Sequence, residues 1–294
     1  MEIIYSFAKC ACSACAFFNT NSYEKETYSI CAANSCDSRF LQYTPVCVQS
    51  FRTQCAGACQ KGDSKLGAVY STNFAGERDI DGEMVDERTR GIDVHGAVAI
   101  SDHFAIQAAY FYRWEKTTGG NDTATIRYNR NLGEFGIGYF IPMTPKKNVI
   151  FQLFGGGGIG KFSFRDQSIN GFNFHEANIT KIYIQPAFIF RSSGSFSSSI
   201  SLRSSILQFR NIKTSYSYNQ LADYNLDSLN NRAKWFFEPA FTGSFGFKGL
   251  PGLRIEFQGG LSFLASRKYM DYRIVNFSVG TWIDIGKMVR GDKR

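Results

Sequence analysis

From residue 64 onward the chain alternates with a period of two, the spacing of a strand whose faces meet different surroundings. Leu253, Ile255, Phe257, Gly259, Leu261, Phe263 and Ala265 fall on one face. Arg254, Glu256, Gln258, Gly260, Ser262 and Leu264 fall on the other. Trp235 to Phe247 and Phe104 to Trp114 repeat the pattern. It predicts ten strands, at 64–73, 90–100, 103–115, 125–142, 148–164, 176–191, 196–210, 232–248, 252–266 and 272–286. Most exceed the five or six residues usual for a soluble strand, and about nine to eleven suffice to cross a bilayer at a tilt. Pro186 and Pro239 stand mid-strand. A proline offers no ladder donor, so each is expected to mark a bulge or irregularity.

The connections sort into two kinds. Ser101-Asp102, Thr144 to Lys147, Ser193 to Ser195 and Gly249 to Pro251 are turn-like. Between them lie longer polar stretches at 74–89, 116–124, 165–175 and 211–231, and a shorter one at 267–271. Strict alternation of short and long links fits a transmembrane barrel with short periplasmic turns and longer outer loops. A sheet in hydrocarbon must close, because lipid cannot satisfy backbone polar groups. The expectation is an all-β, antiparallel meander barrel of about ten strands in the outer membrane of a Gram-negative bacterium. Its aromatic faces would meet lipid, with Tyr112, Trp114, Tyr139, Trp235, Tyr272 and Trp282 in interfacial girdles. Glu134, Gln152, Gln185, Arg203, Glu238, Arg254, Glu256, Gln258 and Asn276 would line a polar lumen, with opposite charges paired. Alternation alone does not tell inside from outside. A soluble lipid-binding barrel would reverse the faces, and the loop asymmetry argues for the membrane.

Composition narrows this further. The 294 residues include 28 Phe and 15 Tyr, too aromatic for a disordered chain. No apolar run is long enough for a membrane helix. The net charge of +8 is scattered, which does not suggest a nucleic-acid face. All eight Cys lie at or before position 59. The chain therefore divides into a signal-like segment at 1–15, a Cys-containing segment at 16–62, the barrel at 63–288 and a basic tail at 289–294. Cys12-Ser13-Ala14-Cys15 is close to a lipobox, which makes Cys15 the candidate lipidation site. Cleavage by an ordinary signal peptidase is the alternative.

The order of several short pieces resembles Bacteroidetes-type outer-membrane β-barrel proteins, many of them predicted lipoproteins. The pieces are Tyr43-Thr44-Pro45, Lys61-Gly62-Asp63, Gly96 to Ile106, Gly136 to Tyr139, Gly155 to Gly160, Ile184-Gln185-Pro186 and Phe237-Glu238-Pro239. The resemblance covers about residues 40 to 286 and implies an integral barrel. It supplies no catalytic residues.

Candidate chemistry is sparse. Gly155-x-Gly157-x-x-Gly160 has the dinucleotide spacing, but a strand follows it where a phosphate-binding helix is required. Asp79-x-Asp81-Gly82 is a fragment of a calcium loop without its bidentate Glu. His175-Glu176 lacks a second His. Asp166, His175, Asp223, Asp227 and Asp271 could share an outer rim, but no spacing links them. No catalytic, cofactor or metal site is expected. The expected role is structural or accessory, as a scaffold or subunit of an outer-membrane assembly. Its partners would be outer-membrane lipids and other outer-membrane proteins, without nucleic acid. The alternatives are a small porin or hydrophobe channel, and a binding or adhesive protein using the Tyr-, Asn- and Ser-rich 211–231 loop with Tyr216, Tyr218 and Tyr224.

Overall fold

The computed structural model describes residues 61–72, 89–118, 124–168, 171–192, 195–223, 226–229, 233–247, 249–266 and 274–285. Cys15, the segments at 1–15 and 16–60, the acidic loop around Asp79, and the basic tail lie outside them. The strands are β1 (Ser64–Thr72), β2 (Arg90–Ala99), β3 (Phe104–Thr118), β4 (Ala124–Pro142), β5 (Val149–Ser168), β6 (Gly171–Arg191), β7 (Phe196–Thr214), β8 (Lys234–Phe247), β9 (Leu250–Leu261), β10 (Phe263–Leu264) and β11 (Val275–Asp284). β10 continues β9 past Ser262, so the two make one stave. The meander closes antiparallel through β8–β9, β9–β11 and β11–β1, giving a ten-stave barrel. All ten predicted strands are present.

Closure gives every stave two neighbours, and the alternation then sorts side chains by face. Phe135, Ile159 and Ile182 stand 59%, 75% and 57% exposed on the outside. Glu134, Lys181 and Arg203 are buried inside. An apolar belt outside and a charged interior is the arrangement of a transmembrane barrel, the inverse of a soluble one. The belt occupies the half nearest the short turns. β4 to β7 are 19 to 21 residues long, well beyond a bilayer crossing, and rise past the belt at the other end. Their outward positions there turn polar: Asn129, Lys161, Arg165, Asn178 and Lys213 replace Phe, Ile and Leu.

Four expectations change. The stretch 165–175 is not a long connection, because β5 and β6 pair up to Ser168 opposite Gly171, leaving a two-residue link. Long and short connections therefore do not alternate strictly in residue count. The 116–124 connection shrinks to 119–123 as β3 and β4 pair up to Thr118 opposite Thr125. The polar residues that suggested loops are the solvated faces of protruding strands. The prolines do not shift the register. Pro239 pairs opposite Leu202, and the β6–β7 ladder skips Gln185 and Pro186 but resumes in step. The shifts fall instead at Glu176/Asn178, where Asn211 takes a φ of 53°, and at Gly246/Phe247. Finally, Trp282 points into the barrel, 9% exposed. It lies on the polar face of β11 with Ser278, Gly280 and Asp284, and the Lys65 ammonium sits 4.6 Å from its ring centroid.

Candidate functional site

The lumen is built in layers. Its centre is a four-charge cluster contributed by four strands. Lys181 of β6 places its Nζ 3.1 Å from Glu134 Oε1 of β4 and 3.7 Å from Glu238 Oε2 of β8. Arg203 of β7 donates from Nη1 to Glu134 Oε2 at 3.0 Å and from Nε to Gln185 Oε1 at 2.8 Å. Ser205 donates to Glu238 at 3.0 Å. Two acids face two bases, so the layer is neutral. All four charged side chains are 3% exposed or less. Desolvating four ions is costly, and mutual neutralisation with hydrogen-bonded partners is what makes such a layer tolerable.

The wall facing this cluster carries a stripe of inward glycines. Tyr183 lies flat across it, with the Arg203 guanidinium 4.4 Å from its ring and its hydroxyl accepting from Gln107 Nε2 at 3.0 Å. A Cβ at Gly136 or Gly156 would collide with the Tyr183 hydroxyl, and one at Gly158 would come within 2.9 Å of Glu134 Cγ. Only absent side chains on β4 and β5 let these groups lie against the backbone.

Apolar layers bound the cluster on both sides. Towards the short turns are Ala99, Ala105, Phe140, Ile150, Phe154 and Ile189. Towards the long connections Phe111, Tyr128, Leu132, Phe162, Phe164, Phe209 and Phe236 form a larger aromatic layer. The β7–β8 connection contributes Tyr216, Leu226 and Leu229, each 6% exposed or less, to that layer. A short helix, α1 (Tyr218–Asp223), and a 3-10 turn at Asp227–Leu229 bring them there. Leu226 N donates to Leu221 O at 2.8 Å and Leu229 N to Leu226 O at 3.1 Å, folding the connection onto itself.

Two further polar groups lie in the interior, which also buries Arg130 and Lys234. Arg113 of β3 pairs with Asp93 of β2, donating from Nη2 to Oδ2 at 2.8 Å as well as through Nη1, and Ser71 donates to the same Oδ2 at 2.7 Å. A small vestibule of about 170 Å³ opens among Asp63, Lys65, Arg191, Arg254, Glu256 and Trp282. There Lys65 Nζ meets Glu256 at 2.9 Å, and Arg254 donates to Ser195 O and Ser197 Oγ at 2.8 and 3.0 Å.

Glu134, Gln152, Gln185, Arg203, Glu238, Glu256 and Gln258 all lie buried on the inner face, and Arg254 and Asn276 are half-buried there. The structure brings Glu134, Gln185, Arg203 and Glu238 into one cluster and puts Arg254 and Glu256 in the vestibule. Sequence reasoning missed Lys181, Tyr183, Gln107, Asp93 and Arg113. Lys181 and Tyr183 share the parity of Gln185, a signal that could have found them. It also missed the aromatic layers, because it sent Phe outward as a class.

Among the described residues the rim set does not assemble. His175 faces inward in the part of β6 above the apolar belt, 1% exposed, and packs edge-on to Phe162 at 6.0 Å. Neither ring nitrogen has a hydrogen-bond partner among the described residues. Burial there pushes its pKa down to about 4. Asp227 sits in the 3-10 turn, and Asp271 and the side chain of Asp223 lie outside what is described. Among the described residues no cluster of three His, Cys, Asp or Glu could hold a metal ion. Tyr216 is buried in the aromatic layer, so it offers no surface for recognition, whereas Tyr218 is 75% exposed.

No protein-family model and no curated protein matches the chain. Solved structures do. The outer-membrane protease OmpT from Escherichia coli matches at 11% identity over 76% of this chain and 95% of its own, with a TM-score of 0.39. The translocator domain of the autotransporter NalP from Neisseria meningitidis matches at 12% over 78% and 90%, with a TM-score of 0.42. The COG4313 outer-membrane channel from Pseudomonas putida F1 matches at 8% over 80% and 99%, with a TM-score of 0.38. The three differ in the activities their descriptions name.

Proposed function

We propose that this outer-membrane barrel is a closed, non-catalytic scaffold that holds a place in an outer-membrane assembly, with its short turns towards the periplasm. The observation that carries the reading is the neutral layer of Glu134, Lys181, Arg203 and Glu238, buried together and covered by an aromatic layer. A water-filled pore would leave these side chains wet. Here they are desolvated and paired, and Leu226 and Leu229 seat a connection over them. The resemblance to Bacteroidetes-type barrels and acylation at Cys15 are part of the same proposal. An acyl chain would supplement the barrel's hold on the membrane without replacing it.

Planar-bilayer recording tests the reading. The wild-type barrel should pass no stepwise current, while a Leu226→Ala/Leu229→Ala variant, with its cover loosened, should show intermittent openings. Steady conductance by the wild type would refute the closed scaffold in favour of a small porin.

A further inference from the structure

We infer that the outward wall of β4 to β7, just above the apolar belt, is a docking site for a phosphorylated glycolipid of the outer leaflet. This deepens the scaffold reading and rests on the orientation given there. The wall carries Arg127, Lys161, Arg165, Arg210 and Lys213, all exposed, against one outward carboxylate among the described residues, Glu176. Arg165 Nη2 meets Glu176 at 3.1 Å, with both side chains 40% or more exposed, so four positive charges are in excess. An open groove of about 920 Å³ runs along the wall, lined among others by Lys161, Arg165, Lys213, Glu176, Asn131 and Asn178.

Position along the wall identifies the occupant. On β5 the outward residue before Lys161 is Ile159, the most exposed apolar residue of the belt, and on β6 Asn178 precedes Ile182 by two outward steps. A lipid whose acyl chains lie against Phe135, Ile159 and Ile182 therefore presents its headgroup at the level of Lys161 and Arg165. Phosphates meet the cations there, and sugar hydroxyls meet the asparagine amides, which both donate and accept. A cation near an anionic lipid surface contributes about one power of five in affinity, so three together are worth on the order of a hundredfold. A soluble anion would gain nothing from the belt below. Only a lipid uses both surfaces.

The test uses the full chain purified in neutral detergent, with rough lipopolysaccharide as the probe and native mass spectrometry and a gel-migration midpoint as readouts. Lipopolysaccharide should bind and raise the midpoint, and its affinity should fall steeply with salt. Lys161→Gln/Arg165→Gln/Lys213→Gln should weaken binding on the order of a hundredfold. Lys146→Gln/Lys147→Gln, at the opposite end, should leave it unchanged. Equal binding by the triple variant, equal loss in the control, or full competition by inorganic phosphate would overturn the site. An epitope inserted within 119–123 should be detected on intact cells. Its absence there would overturn the proposal, since the glycolipid occupies only the outer leaflet. Conductance separates the two readings: a wild type that conducts yet binds lipopolysaccharide through Lys161 refutes the scaffold and keeps the site.

Discussion

Arg203→Met removes one charge from the central layer while keeping most of the side-chain length. Glu134 Oε2 and Gln185 Oε1 lose donors now at 3.0 and 2.8 Å. Glu134 and Glu238 are then left against Lys181 alone, one negative charge in excess among side chains at most 3% exposed. Breaking a buried pair from one side costs about 3–5 kcal/mol, mostly through the ion left behind. The matching experiment restores neutrality. Glu134→Gln/Arg203→Met leaves Lys181 and Glu238, already 3.7 Å apart, as a balanced pair. The double variant should therefore be more stable than Arg203→Met by about 1–3 kcal/mol. Urea unfolding in lipid vesicles, followed by tryptophan fluorescence and heat-modifiable gel migration, measures both. The midpoint should move and the slope should not. A cost below about 1 kcal/mol for Arg203→Met, the worth of an exposed pair, would show that water reaches the layer and would refute the desolvation argument. A double variant no better than the single would show that packing, not charge, sets the cost.

Two further variants probe the glycine wall and the buried imidazole. Gly136→Ala should destabilise by about 1–3 kcal/mol because its Cβ meets the Tyr183 hydroxyl, and Tyr183→Phe should recover part of this; no recovery would place the strain in the backbone. His175 has a folded pKa near 4, below its ordinary 6.5. Its contribution to stability is thus fully present above about pH 6.5 and lost as pH falls towards 4. Relative to His175→Phe, the wild-type unfolding midpoint should drop over that interval, and parallel curves would show that the imidazole does not titrate on unfolding.

The staves were legible because strand alternation survives translation into a barrel almost unchanged. Leu253 to Ala265 and Trp235 to Phe247 place their apolar sets outward as the period requires. What alternation does not encode is which face is the inner one where an apolar face alternates with a polar one. Phe162 and Phe164 flank Ser163, and nothing local says that the phenyl rings, not the hydroxyl, point inward; the parity is fixed by Glu134 and Lys181 on neighbouring strands. Trp282 was misplaced for the opposite reason. Residue type suggested a girdle, while its own strand, with Ser278 and Asp284 in phase, marked it as inward. The 165–175 stretch read as a loop because its polarity reflects height above the bilayer, and sequence polarity does not separate a solvated strand from a turn. The charge layer was half legible. Its members come from β4, β6, β7 and β8, and which of the inward polar residues meet is decided by register and tilt, which no single strand carries.

That distribution over four strands constrains how the barrel can be threaded into a membrane. Taken in chain order, the layer receives a negative charge with β4, a positive one with β6, a second positive one with β7 and a second negative one with β8. The sum returns to zero after β6 and again after β8, but not after β7. An intermediate that has added β7 alone would hold an uncompensated guanidinium or ammonium on its unclosed inner face. Insertion that proceeds by hairpins paired as β7 with β8 avoids that state, and a lag at that step would be the kinetic trace of the layer's charge order.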